Sequence, residues 1–155
     1  MKTEKTEDFE SFEVGKKYNV IESPIVTITA PSGTSMSIFN SPSTVFRGNF
    51  VGLSAVDGYH EFKLSEPSSR FTFLQRAGWE KNLSTDAVDL LNAIRGYFFD
   101  LKCYSASNIE VLRDISDVEN VPGKVLVRTF EPITSFRITL SYPGVSFDEF
   151  SFTSY

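Results

Sequence analysis

Few side chains in this sequence have the types and the spacing that catalysis requires. The only histidine is His60, which follows Tyr59 on a predicted strand. A Ser–His–acid triad would have to use it, but the chain has no Gly-x-Ser-x-Gly motif. A phosphate-binding Gly-x-x-x-x-Gly-Lys motif is also missing. We therefore expect no catalytic residues, and we expect His60 at the surface or at the rim of a binding site.

Sugar binding requires a flat aromatic face beside groups that form hydrogen bonds with hydroxyls. Trp79, the only tryptophan, lies in the polar segment RAGWEKN and is one candidate for stacking on a sugar. The alternative is that Trp79 packs beneath a neighbouring helix. Tyr59 and His60 follow Asp57-Gly58 at a predicted hairpin tip and form a second candidate.

Glycoside hydrolysis needs a pair of carboxylates, and 20 acidic residues offer many pairs. Glucanases built on a sandwich carry their acids at alternating positions along one strand that faces a cleft. Neither HEFKLSE nor SFDEF has the corresponding Glu-x-Asp-x-x-Glu spacing. A small glycoside hydrolase is therefore our least favoured hypothesis.

Charge and composition restrict the partners of the chain. Its net charge is −5, and no cluster of Lys and Arg could follow a phosphate backbone, so we expect no nucleic-acid binding. Apolar stretches are too short to span a bilayer, and the first residues lack the apolar run of a signal peptide. We expect a cytoplasmic protein, or an extracellular one if this sequence lacks its export signal. Cys103, the single cysteine, is predicted to be a buried, inert thiol.

Alternating apolar and polar residues predict strands along most of the chain. In residues 60–65, Phe62 and Leu64 lie on one face together with His60. Turn residues such as those at 66–69 and Glu131-Pro132 separate the strands. The predicted strands cover residues 25–30, 35–40, 60–65, 69–75, 96–104, 109–115, 124–130, 135–142 and 145–153.

This pattern predicts an all-β fold, an antiparallel sandwich or barrel. The exception is residues 84–94, STDAVDLLNAI, whose cap and apolar spacing predict one short helix. We expect one domain over residues 8–155, preceded by a flexible tail over residues 1–7.

Both ends of the chain carry acidic aromatic motifs that resemble a known group of domains. Residues 8–15 read DFESFEVG and residues 144–152 read GVSFDEFSF. They resemble the opening and closing strands of jelly-roll domains of the galactose-binding-like and carbohydrate-binding-module type. SRFTFLQRAG and VRTFEPITSFRITL resemble internal strands of that group. The resemblance implies an antiparallel jelly-roll β-sandwich whose first and last strands are neighbours.

The resemblance also implies a structural Ca²⁺ held by one acid from the first strand and one from the last. By position these ligands would be Glu10 and Asp148, with Asp8 and Glu149 as lesser candidates. The alternative is that these acids are solvated charges that discourage pairing at a sheet edge.

Taken together, these features favour a non-catalytic binding module whose ligand is a glycan. The alternative is a protein-interaction or self-assembly module that uses an exposed sheet face. The sequence leaves the oligomeric state open.

Overall fold

The structure is a computed structural model that describes residues 4–40, 48–77, 99–121, 123–140 and 144–154. These residues form twelve strands: β1 (Glu4–Glu7), β2 (Lys17–Tyr18), β3 (Val20–Glu22), β4 (Val26–Thr29), β5 (Met36–Asn40), β6 (Asn49–Leu53), β7 (His60–Ala77), β8 (Phe99–Tyr104), β9 (Glu110–Val111), β10 (Arg113–Asp117), β11 (Lys124–Leu140) and β12 (Val145–Thr153). Every strand pair is antiparallel. The predicted fold class, an antiparallel β-sandwich of the jelly-roll type, is confirmed at the level of this all-β antiparallel architecture.

Two long strands, β7 and β11, organise the sheet. They pair with each other, and the order across the sheet is β2-β5-β6-β12-β7-β11-β8-β9. The first half of β11 pairs with β10 and its second half pairs with β8. β4 pairs with the first residues of β7, and β1 pairs with β12. The first and last strands, β1 and β12, are therefore neighbours. The opening strand predicted over residues 8–15 is wrong, because β1 ends at Glu7 and residues 8–15 form turns between β1 and β2.

Irregular pairing marks the middle of the long strands. The register of β11 against β7 shifts between Arg128 and Ser135, and that of β12 shifts between Asp148 and Ser151. Glu149, within the second shift, has a positive φ of 45°. Shifts of this kind bend a strand and increase its twist, which lets one continuous sheet enclose a core.

Phenylalanine side chains fill that core. Phe136 stacks on Phe62 with ring centroids 4.6 Å apart and on Phe71 with centroids 4.4 Å apart. Phe147 and Phe150 of β12 contact the same group. All five residues are at most 3% exposed, so they hold β7, β11 and β12 together. Truncating a buried phenylalanine to alanine usually costs about 3–5 kcal/mol.

Three sequence predictions need correction or fall outside this description. The turns predicted at residues 66–69 and at Glu131-Pro132 lie inside β7 and β11. Pro132 coincides with the register shift of β11, where the ladder does not need its missing N–H donor. Residues 4–7, predicted as part of a flexible tail, form β1 instead. The helix predicted over residues 84–94 lies outside the described residues.

Candidate functional site

A cleft of about 370 Å³ lies at the end of the sheet where β4 ends and β7 begins. We call it the Tyr59 cleft. Seven described residues line it: Thr29, Ala30, Pro31, Ser32, Gly58, Tyr59 and Glu61.

Strand pairing and a tight turn form the walls of the Tyr59 cleft. Thr29, the last residue of β4, is the register partner of Glu61 in β7. The chain then turns at Pro31, whose carbonyl accepts hydrogen bonds from the backbone N–H and the hydroxyl of Thr34, at 3.0 and 2.6 Å. On the other wall, Gly58 has a φ of +82°, and a Cβ there would lie 3.1 Å from Pro31. Glycine thus permits both the backbone conformation and the close approach of the two walls.

Tyr59 is held by a stack of three side chains. The guanidinium carbon of Arg137 lies 4.5 Å from the centre of the Tyr59 ring and 4.1 Å from that of Tyr104. Arg137 Nη2 donates a hydrogen bond to Asn108 Oδ1 at 3.2 Å. The stack joins Tyr59, the residue just before β7, with side chains of β8 and β11. Tyr59 nevertheless remains 43% exposed, so the stack with Arg137 holds its ring while much of the residue stays accessible.

Glu61 supplies the only carboxylate among the seven described residues of the Tyr59 cleft. Its Oε2 lies 3.6 Å from Arg137 Nε, an ion pair that is too long for a hydrogen bond. The carboxylate therefore keeps its acceptor capacity for a ligand. Thr29 and Ser32 add two hydroxyls, each able to donate and to accept a hydrogen bond. The cleft thus combines an aromatic face with groups suited to hydroxyl-rich molecules.

The prediction that His60 lies at the surface or rim of a binding site is wrong. His60 is 0% exposed, and neither ring nitrogen has a hydrogen-bond partner. Burial lowers the pKa of the imidazole to about 4, partly opposed by the nearby backbone of Ile138. The reason is strand alternation: Tyr59 and Glu61 face outward, so the residue between them points into the core. Trp79, the other predicted stacking residue, lies outside the described residues.

The predicted metal ligands Glu10 and Asp148 lie in one acidic neighbourhood, which also contains Asp8 and Glu149. Asp148 is 1% exposed, whereas the other three are exposed. Its Oδ1 accepts a hydrogen bond from the Glu149 backbone N–H at 2.8 Å, while its Oδ2 has no partner. The pKa of Asp148 is raised to about 8, chiefly by burial and further by the surrounding carboxylates, although the hydrogen bond from Glu149 acts to lower it.

Glu10 already has a structural role in this acidic neighbourhood. Its Oε1 accepts a hydrogen bond from the Asn49 backbone N–H at 3.0 Å, and its carboxylate contacts Gly48 so closely that a Cβ there would overlap it. Within the described ranges, no group of three or more His, Cys, Asp and Glu side chains is placed to hold a metal ion. In this acidic neighbourhood, Asp148 Oδ2 is buried and has no hydrogen-bond partner, so it is available as a ligand for a cation.

One exposed apolar pair lies elsewhere on the sheet. Leu112 and Phe130 are 76% and 78% exposed. The backbone N–H of Phe130, in β11, donates a hydrogen bond at 3.1 Å to the carbonyl of Leu112, which lies between β9 and β10, so the two residues are neighbours.

Over the described ranges the chain forms no helix long and apolar enough to cross a membrane.

Comparison with known proteins adds no further evidence about these sites. No protein-family model matches the sequence, and no curated protein matches it either.

Proposed function

We propose that the protein is a non-catalytic binding module that binds a glycan in the Tyr59 cleft. The observation that carries the proposal is the Tyr59 ring, which Arg137 fixes on one side while 43% of the residue stays exposed. The apolar C–H face of a sugar packs well on such a ring. The hydroxyls at the sugar edge find acceptors and donors in Glu61, Thr29 and Ser32.

The size of the Tyr59 cleft and its acid content also support binding rather than catalysis. Its 370 Å³ is at the small end of ligand pockets, which typically span about 300–1,000 Å³. It therefore suits one or two sugar units at a time. Glycoside hydrolysis requires two carboxylates across the bond that is cleaved, and the described lining supplies only Glu61.

A glycan array probed with purified wild-type protein, Tyr59→Ala and Tyr59→Phe tests the proposal. We expect the alanine variant to lose at least tenfold in affinity, because the contact between a sugar and an aromatic side chain depends on the ring face. The phenylalanine variant should stay within about threefold of wild type, since it keeps that face and loses only the hydroxyl. Phe130→Ala is the control, because it removes a ring that is 78% exposed and that does not line the Tyr59 cleft.

Absence of binding to every glycan, or equal binding by wild type and Tyr59→Ala, would refute this assignment. Trp79 remains a predicted stacking residue, and Trp79→Ala in the same array tests it. If that variant alone loses binding, the glycan site lies at Trp79 and not in the Tyr59 cleft.

We further propose Ca²⁺ as a structural ion beside Asp148. The unpartnered Oδ2 supports this, because a buried carboxylate oxygen without a donor is a ligand that a hard cation prefers. Thermal melts with a chelator and with millimolar CaCl₂ provide the test, since an ion that binds only the native state raises the midpoint. An unchanged midpoint in wild type would remove Glu10 and Asp148 as metal ligands.

Self-association is the second candidate function, and the exposed pair of Leu112 and Phe130 favours it. Light scattering at increasing protein concentration should then show a dimer that the double variant Leu112→Ser, Phe130→Ser cannot form. A wild-type protein that stays monomeric at high concentration would exclude this candidate.

A further inference from the structure

The charge inside the Tyr59 cleft is negative. Glu61 contributes a carboxylate, and the other six described lining residues are uncharged. A ligand seated on Tyr59 therefore meets an acidic wall.

Arg137 and Lys63 are cations near the Tyr59 cleft, but neither of them lines it. Arg137 is the ion-pair partner of Glu61, but its guanidinium is enclosed between the Tyr59 and Tyr104 rings and bonded to Asn108. It does not line the cleft. Lys63, the next outward-facing residue of β7, pairs with Thr27 further along β4 and also lies outside the lining. Neither cation is therefore placed to form an ion pair with an anionic ligand in the cleft, although Arg137 offsets part of the charge of Glu61.

We propose that Glu61 makes the Tyr59 cleft selective for neutral glycans against glycans that carry a carboxylate or a sulfate. This inference rests on the proposed glycan-binding function and adds the class of ligand. The hydroxymethyl group of a neutral hexose can donate a hydrogen bond to Glu61, whereas a carboxylate at the same carbon cannot donate and is repelled. At about 6 Å near a protein surface, the repulsion of two unit charges weakens binding by about a hundredfold, and because Arg137 offsets part of the Glu61 charge we expect a loss of at least tenfold.

Matched sugar pairs that differ only at C6 test the inference. Galactose and galacturonate, and glucose and glucuronate, are presented as otherwise identical conjugates at low salt. Wild type should prefer the neutral member of the bound pair by at least tenfold. Glu61→Gln keeps the shape and the acceptor oxygen but removes the charge, and it should reduce the preference to about threefold or less. Because a partly exposed ion pair contributes only about 1 kcal/mol to folding, the variant should still fold.

Glu66→Gln is the matched control for the loss of charge. Glu66 lies on the same strand and forms an ion pair with Lys5 at 2.9 Å, but it is not part of the Tyr59 cleft. Glu66→Gln should leave the preference for neutral over acidic sugars unchanged. Raising the salt concentration should narrow the preference of the unmutated protein, because salt screens the repulsion between exposed charges.

The possible results separate the two proposals. If wild type binds the two members of each pair equally well, or prefers the uronate, the proposed selectivity is refuted but glycan binding stands. The same conclusion follows if Glu61→Gln leaves a tenfold preference intact. If wild type retains no conjugate at all, the glycan function itself fails, and the selectivity fails with it.

Discussion

Replacing Asp148 by asparagine should stabilise the protein at neutral pH and give no gain at pH 4. Asp148 is buried, and its pKa is raised from 3.8 to about 8, chiefly because burial disfavours the charged form. The native protein therefore keeps the carboxyl protonated up to about pH 8, whereas the unfolded chain loses that proton near pH 3.8. The stability linked to this proton is fully present below pH 3.8 and is lost as the pH rises to about 8.

The size of the effect follows from the displacement of the pKa. Each pH unit between the two values removes about 1.4 kcal/mol of wild-type stability, which amounts to roughly 4 kcal/mol at pH 7. Asparagine does not ionise and escapes this loss. Its carbonyl can still accept the hydrogen bond from Glu149, but its amide N–H groups replace an oxygen that has no partner, at a cost of about 1–3 kcal/mol. The net gain at pH 7 is therefore about 1–3 kcal/mol.

Urea unfolding of both proteins at each pH from 4 to 8, with a chelator present, measures this difference. His60 titrates in an overlapping range with the opposite sign, but its contribution cancels when the variant is compared with wild type. Asp114→Asn, at an exposed position of β10, is the control and should show no such pH trend. A difference between Asp148→Asn and wild type that stays constant from pH 4 to 8, or that falls, would refute the reasoning. Millimolar Ca²⁺ at pH 7 should stabilise wild type and not the variant if the proposed ion binds there.

Three further predictions concern side chains buried in or stacked on the sheet. In an NMR titration, the His60 imidazole should stay neutral down to about pH 4. The burial of this residue should then cost about 3 kcal/mol of folding stability as the pH falls from 6.5 to 4. A titration midpoint near 6.5 would contradict this prediction. Burial raises the pKa of Cys103 to about 12. A thiol reagent should therefore label this residue in urea but barely in the native protein. Rapid labelling of the native protein would contradict the burial of Cys103. Arg137→Lys keeps the charge but not the planar stack on Tyr59 and Tyr104. Urea unfolding should show a loss of about 1 kcal/mol in the free energy of unfolding, and glycan binding should weaken. If neither quantity changed, Arg137 would have no positioning role.

Alternation along the chain predicts much of the fold, because one face of each strand is buried. The patterns around Ile28, Ile38 and Phe147 lie on β4, β5 and β12, and all three residues are at most 3% exposed. Whether a strand continues through a turn-like sequence is harder to predict. Glu131-Pro132 is a typical strand break, yet β11 continues through it because the register shift accommodates a residue without a backbone donor.

The same alternation bears on the candidate site. It groups His60 with Phe62 and Leu64 on one face, and all three are buried. That grouping already excludes His60 from a surface site and points Tyr59 and Glu61 outward. Strand alternation from the buried His60 is therefore the sequence signal that places Glu61 on the outward face.

Arg137 is different, because its role depends on contacts between distant segments. Its ring partners and Glu61 are brought together by the pairing of β11 with both β7 and β8. Local pattern shows that Arg137 faces outward from β11, but not which strands flank it. The acidic neighbourhood of Glu10 and Asp148 similarly requires β12 to bend and β1 to pair with it.

An NMR titration of the protein with a neutral oligosaccharide tests the account most directly. Binding in the Tyr59 cleft predicts that the largest shift changes cluster at the Tyr59 ring and at the backbone amides of Ser32, Gly58 and Glu61. Shift changes centred on Leu112 and Phe130, or no changes at millimolar sugar, would contradict the assignment of this cleft as the binding site.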